Sequence, residues 1–122
     1  MNPHPETQPF LPHERLEVYH LAIEFHRVLM PLARTRGIAS LRDQLFRAAD
    51  SIVLNIAEGA GRNSRDDKRR FYEIAKGSAT ECAAALELLR SRNLLTEAGW
   101  QSRRILAVRL VQMLSRLSGP PR

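Results

Sequence analysis

The spacing of apolar residues constrains the fold of this chain more than any other feature of its sequence. Apolar side chains recur three and four residues apart in four successive segments, which is the period of an amphipathic α-helix. The sequence has no strict alternation of apolar and polar residues and no Asn-Gly or Asp-Gly hairpin signal, so it gives β-strands little support. Short connections between long helices favour antiparallel neighbours. The sequence therefore predicts an all-α protein, an up-down-up-down antiparallel four-helix bundle.

The prolines set the predicted domain boundaries, because most of them lie near the ends of the chain. The terminal ones are Pro3, Pro5, Pro9, Pro12, Pro120 and Pro121. We expect a proline-rich N-terminal tail over residues 1–13, one helical domain over 14–118 and a short C-terminal tail over 119–122. A length of 122 residues is enough for one compact core. Pro31, the only internal proline, is expected to kink the first helix or to end it early.

The first helical segment carries more apolar surface than one bundle core can cover. One row along it contains Val18, Ala22, Phe25, Leu29 and Leu32, and a second row contains Leu16, Tyr19, Ile23, His26 and Met30. The pattern leaves open which row faces the core. Because the other row needs a second burial surface, we predict that copies of the chain associate. The predicted interface residues are Leu16, Tyr19, Ile23, Met30, Val53, Leu54 and Trp100.

Capping residues mark the predicted helix ends. Ser40, Ser64 and Thr96 are the expected N-caps of the second, third and fourth helices. Glycine disfavours helix, so Gly59 and Gly61 predict that the second helix ends near residues 61–63.

The turn after the second helix holds the most distinctive group of residues in the sequence. Its members are Asn55, Glu58, Gly59, Gly61, Arg62 and Ser64. Spacings of three and four place the polar side chains of Asn55, Glu58 and Arg62 on one helical face. We interpret the group as a structural motif in which Glu58 pairs with Arg62, or across the turn with Arg69 or Arg70. A ligand or nucleic-acid site at this turn is the alternative.

The charge balance favours an anionic partner. Nineteen Lys and Arg residues against 13 Asp and Glu give a formal net charge of +6. Two basic groups are candidate phosphate ligands: Arg62, Arg65, Lys68, Arg69 and Arg70 at the turn, and Arg103, Arg104, Arg109 and Arg116 in the fourth helix. A merely solvated basic face is the competing interpretation, because acidic residues dilute the first group.

No pattern in the sequence predicts catalysis, a metal or a cofactor. The four histidines include no pair four residues apart, no HExxH is present, and the Gly59–Arg62 stretch lacks the lysine of a phosphate-binding loop. The single cysteine, Cys82, cannot form an internal disulfide and lies on an apolar arc, where a buried inert thiol is expected. No apolar run approaches the length of about 20 residues needed to cross a bilayer. We expect a cytoplasmic, non-enzymatic protein.

Several stretches of the sequence resemble a known bacterial family. Residues 41–64 read LRDQLFRAADSIVLNIAEGAGRNS, residues 70–78 read RFYEIAKGS, and residues 16–23 read LEVYHLAI. These stretches resemble the four-helix bundle proteins encoded by intervening sequences in 23S rRNA genes, a family related to the accessory variability determinant of diversity-generating retroelements. Val53 and Asp67 depart from the residues common in the family, which are proline and glutamate at these positions.

The resemblance implies a homopentamer with a basic surface and implies no settled activity. Combined with the charge, it predicts a homo-oligomeric module that binds RNA or DNA mainly through phosphates. The alternative function is an adaptor that docks on a reverse transcriptase or another polymerase, as the retroelement relatives do. The residues do not distinguish RNA from DNA.

Overall fold

A computed structural model describes residues 10–37 and 39–120, and these residues form a four-helix bundle. The helices are α1 (Glu17–Leu29), α2 (Ala39–Ala60), α3 (Arg65–Ser91) and α4 (Glu97–Ser118), with short 3-10 helices at Pro12–Arg15 and Met30–Arg34. The described residues include no strand, so the predicted all-α class is confirmed. Of the two predicted tails, residues 1–9 and 121–122 lie outside the described part of the chain. Pro12, the last proline of the predicted N-terminal tail, belongs to a 3-10 helix that contacts α2.

Local capping chemistry accounts for the start of α3 and the start of α4. The Ser64 and Thr96 hydroxyls accept hydrogen bonds from the backbone N–H groups of Asp67 and Gly99, at 3.1 and 3.0 Å, and so cap α3 and α4 as predicted. Ser40 is not a cap, because α2 already begins at Ala39. At Pro31 the α-helical hydrogen bonding of α1 gives way to a 3-10 turn, since proline has no N–H to donate.

Each helix packs against the next one along the chain, and α4 also packs against α1, so the four helices enclose one core. Its largest fully buried side chains include Phe25, Leu29, Leu45, Ile52, Ile56, Leu86, Leu89, Leu110 and Leu114. The row of α1 that faces the core is therefore the one with Phe25 and Leu29. In α3, Ile74 is 46% exposed, whereas Tyr72 is buried and has its pKa raised by desolvation.

Gly59 lets α2 approach the aromatic side chains at the start of α3. A β-carbon placed on Gly59 would lie 2.8 Å from Tyr72 Cε1 and 3.1 Å from Phe71 Cβ, closer than atoms pack in proteins. Gly77, by contrast, lies on the exposed side of α3 with no atom within 4 Å of such a carbon. The glycine of the motif thus has a steric function in helix packing.

The two glycines predict opposite effects of the same substitution. Gly59→Ala should destabilise the fold by about 1–3 kcal/mol, because overpacking outweighs the gain in helix propensity. Gly77→Ala should stabilise it by up to about 1 kcal/mol, since it gains propensity without a clash. Urea unfolding of both variants measures the difference. Equal effects at the two positions would contradict the close packing of α2 on α3.

Candidate nucleic-acid interface

The basic residues of the first predicted group lie at one end of the bundle, where α2 ends and α3 begins. The C-terminal end of α4 reaches the same place, because Arg69 donates a hydrogen bond to the carbonyl oxygen of Pro120. Arg116, near the end of α4, lines a groove with Leu16 and Glu17 at the start of α1. We call this region, formed by Arg62, Arg65, Lys68, Arg69, Arg70 and Arg116, the basic end.

Arg62 and Arg70 form the best-built part of the basic end. Their guanidinium carbons lie over the ring of Phe71, at 4.9 and 4.7 Å from its centroid. Arg62 also contacts Glu58 at 3.0 Å, and Arg70 contacts Asp67 at 3.9 Å, while both arginines stay exposed. Stacking on a ring orients the flat face of a guanidinium, and its N–H edge points away from the ring. A phosphate would share or displace the carboxylates of Glu58 and Asp67 at these edges. Phe71 was not among the residues predicted for the site, although its position next to a pair of arginines is a signal for it.

Lys68 is committed to helix capping. Its Nζ donates hydrogen bonds to the carbonyl oxygens of Ala60 and Gly59, at 2.9 and 3.3 Å, and so satisfies the last turn of α2 from the first turn of α3. The Lys68 side chain is half-buried. A phosphate at Lys68 would have to compete with these two hydrogen bonds.

Glu58 and Asn55 do not cooperate as one buried polar face. Glu58 is exposed and pairs with Arg62, so among the described residues it forms no bridge to Arg69 or Arg70. Asn55 instead donates to the carbonyl and hydroxyl oxygens of Ser51, at 2.9 and 3.0 Å. The Ser51 hydroxyl lies 2.8 Å from that of Ser78 and so connects α2 to α3. These polar residues of α2 therefore connect α2 to α3. The spacing within α2 could not reveal the partner on α3, Ser78.

The basic residues of α4 do not form one cluster. Arg103 and Arg116 are separated by about 20 Å along the helix axis. Arg103 donates to the carbonyl oxygens of Val28 and Gly99, at 3.0 and 2.9 Å, and burial lowers its pKa. Arg103 thus ties α4 to the end of α1, and a phosphate there would have to compete with both carbonyl oxygens. Arg109 and Arg116 lie on α4 away from this contact, and neither forms an ion pair with a described residue.

Trp100 has partners within its own chain. The guanidinium carbon of Arg90 lies 3.6 Å from the centroid of its ring, and that of Arg104 lies 5.8 Å away. Arg90 also contacts Glu97 at 3.3 Å and Glu87 at 3.6 Å. Trp100 is thus an anchor between α3 and α4 at the end of the bundle opposite the basic end, rather than a free stacking platform.

Two apolar faces lie on opposite sides of the bundle. The α1–α2 face consists of Ile23, Val53 and Leu54, which line a groove of about 220 Å³, and Leu54 is 66% exposed. The His26–Asp50 pair, at 2.8 Å, lies at the same groove. The α3–α4 face consists of Ala83, Val108 and Val111, which line a groove of about 190 Å³. We add Ile105 to this face, because it is 55% exposed and lies three residues before Val108, its neighbour on the surface of α4.

The other predicted interface residues are distributed elsewhere. Leu16 and Tyr19 are half-buried and pack against the core of their own chain, whereas Met30 is 49% exposed. Ile23, Val53 and Leu54 are therefore the predicted interface residues that the fold brings together.

Metal-ligand clusters and reactive thiols are two further kinds of candidate site. No cluster of three or more His, Cys, Asp or Glu side chains among residues 10–37 and 39–120 could hold a metal ion. Cys82 is buried, and desolvation, with a contribution from Glu81, raises its pKa to about 12, so the thiol stays protonated at neutral pH. No helix in this part of the chain is both long and apolar enough to span a membrane.

Comparison with known proteins places the fold in a family. A solved structure from Bacteroides thetaiotaomicron, a protein of unknown function from the S23 ribosomal protein family, has a similar fold with a TM-score of 0.78. It shares 24% sequence identity, and the likeness covers 84% of this chain and 99% of that one. None of the curated proteins matches this chain. The family model for the 23S rRNA-intervening sequence protein matches residues 14–116, and the chain therefore belongs to that family.

Proposed function

We propose that this chain is a non-enzymatic, homo-oligomeric, cytoplasmic protein that binds RNA or DNA through phosphates. The observation that carries the proposal is the pair of exposed arginines stacked on Phe71 at the basic end. Stacked guanidinium groups are partly ordered before a ligand arrives, so little side-chain entropy is lost when they bind a phosphate. Contacts of this kind do not read base edges, which fits binding with little sequence preference.

The proposed assembly is a ring of up-down-up-down antiparallel bundles, with five copies as the family resemblance implies. A ring needs two different complementary faces on each copy, since a head-to-tail contact repeats around the axis. The α1–α2 face and the α3–α4 face meet this requirement because they are apolar and lie on opposite sides of the bundle. Covering them would remove Leu54 and Ile105 from water, which favours association.

Oligomerisation would increase the positive charge that a nucleic acid meets. A net charge of +6 per chain becomes about +30 in a pentamer. The basic end of a single chain contains acidic side chains as well, among them Glu58 and Asp67, so its local field is modest. In a ring, the Arg62 and Arg70 side chains of several copies would contact several phosphates of one strand and release their counterions.

Binding measured as a function of salt tests this function. We expect the logarithm of the association constant to fall linearly with the logarithm of the salt concentration, for RNA, for DNA or for both. The double substitution Arg62→Gln/Arg70→Gln should weaken binding at low salt about tenfold or more and should flatten the slope by about one unit for each phosphate that the variant no longer neutralises. Fluorescence anisotropy with labelled oligonucleotides measures both quantities.

A matched control uses two other exposed arginines. Arg27→Gln/Arg36→Gln removes the same charge away from the basic end and should leave the slope nearly unchanged. Equal losses in the two double variants would show that the contact is not at Arg62 and Arg70. Binding that does not depend on salt, or no binding by the wild type, would refute the proposal.

The second candidate function is an adaptor for a reverse transcriptase or another polymerase. A groove of about 310 Å³ between α1 and α4 supports it, because this groove is lined by Leu16, Met113 and Leu117 and belongs to neither proposed ring face. A wild-type protein that binds no nucleic acid but is retained on a polymerase would favour the adaptor.

A further inference from the structure

The chain folds back over the basic end immediately after α4. Ser118, the last residue of the helix, is buried, and Gly119 follows with φ +73°, a conformation that residues with a side chain rarely adopt. Pro120 is thereby placed against α3. We call residues 119–120 the C-terminal strap.

The strap covers two arginines of the basic end. Arg69 donates a hydrogen bond from Nη1 to the carbonyl oxygen of Pro120, and it also contacts Glu73 at 4.0 Å. A β-carbon placed on Gly119 would lie 2.9 Å from Nη2 of Arg65, so the strap passes close to that exposed guanidinium. The strap therefore hydrogen-bonds Arg69 and covers Arg65 sterically, whereas Arg62 and Arg70 pair with side-chain carboxylates.

We propose that the C-terminal strap is an autoinhibitory contact that competes with phosphate for Arg65 and Arg69, an inference that rests on the proposed nucleic-acid binding. A neutral carbonyl oxygen accepts a weaker hydrogen bond from a guanidinium than a charged phosphate oxygen does. A phosphate can therefore displace the strap. The apparent association constant equals that of the open form multiplied by the fraction of molecules in which the strap is open, so a mostly closed strap weakens binding. Opening the strap should add two arginines to those stacked on Phe71.

Gly119→Val tests the proposal, because a β-branched side chain is strained at φ +73° and its β-carbon would collide with Arg65. We expect the Kd for a labelled single-stranded RNA or DNA oligonucleotide to fall at least threefold. Adding Arg69→Gln to Gly119→Val should abolish most of that gain. Gly119→Ala, which is strained at the same φ but has no β-branch, should change the Kd in the same direction by a smaller factor.

Gly37→Val is the matched control. Gly37 also has a positive φ, +80°, but no atom lies within 4 Å of an added β-carbon and the residue is in the connection between α1 and α2. Its Kd should remain within twofold of the wild type. Melting temperatures of all variants show whether each one folds.

The outcomes separate the strap from the proposed function. If the wild type binds with the expected salt dependence and Gly119→Val binds no more tightly, the strap proposal is overturned and the function stands. If both proteins bind and Gly119→Val binds at least threefold more tightly, the strap is supported. If neither protein binds at low salt, both proposals fail.

Discussion

The Leu54→Asp variant is expected to separate into single chains of 13.9 kDa. Leu54 is the most exposed side chain of the α1–α2 face, and in the proposed ring it is covered by the next copy. A carboxylate buried there without a partner costs several kcal/mol per interface, which is enough to shift the association equilibrium by orders of magnitude. Sedimentation velocity at micromolar concentration measures the change in mass. Nucleic-acid binding should weaken in parallel, because charge is no longer pooled.

Two further variants show whether the interface is head-to-tail. Leu11→Asp is the control, since Leu11 is 59% exposed but lies on neither apolar face. Ile105→Asp should also give single chains, because it damages the opposite face. Mixing the Leu54→Asp and Ile105→Asp proteins leaves one intact pair of faces, so a complex of two chains should form. A mixture that remains monomeric, or a Leu54→Asp protein with wild-type mass, would rule out this ring.

The starts of α3 and α4 and the core of α2 were predictable because the residues that determine them are local in sequence. Ser64 and Thr96 cap helices through hydrogen bonds within one turn, and the buried row with Leu45 and Ile52 follows from a single periodicity. Tyr72 continues the spacing of three and four residues of the buried α3 side chains Ala75, Ala79 and Cys82, so its burial follows from the same kind of periodicity. The spacing within α3 does not show that Gly59 of α2 provides the space for the Tyr72 ring.

The candidate site was less predictable, since a basic residue looks the same in sequence whether it is free or engaged. Lys68 and Arg103 both satisfy carbonyl groups at the end of a different helix, and those carbonyls come into reach only in the folded chain. Arg69 is engaged by a carbonyl 51 residues away in the sequence. Of the contacts at the candidate site, the stacking of Arg62 and Arg70 on Phe71 was the most predictable from the sequence, because all three residues lie near the turn between α2 and α3.

Phe25→Ala is expected to have the largest effect on the stability of the single chain. The Phe25 side chain is fully buried in the core, so its removal loses transfer free energy and leaves a cavity, at a cost of about 3–5 kcal/mol. A domain of this size is stable by only about 5–15 kcal/mol, so the loss is a large fraction of the total. Urea unfolding in the Leu54→Asp background measures it without a contribution from assembly.

Met30→Ala in the same background is the comparison, because Met30 belongs to the other apolar row of the first segment. It is 49% exposed, and its truncation should cost less than about 1 kcal/mol in a single chain. In the assembled protein the cost should rise if a neighbouring copy covers this row. A loss at Met30 equal to that at Phe25 in the single chain would mean that the row with Met30 faces the core. The neighbouring copy would then cover the row with Phe25 and not the row with Met30.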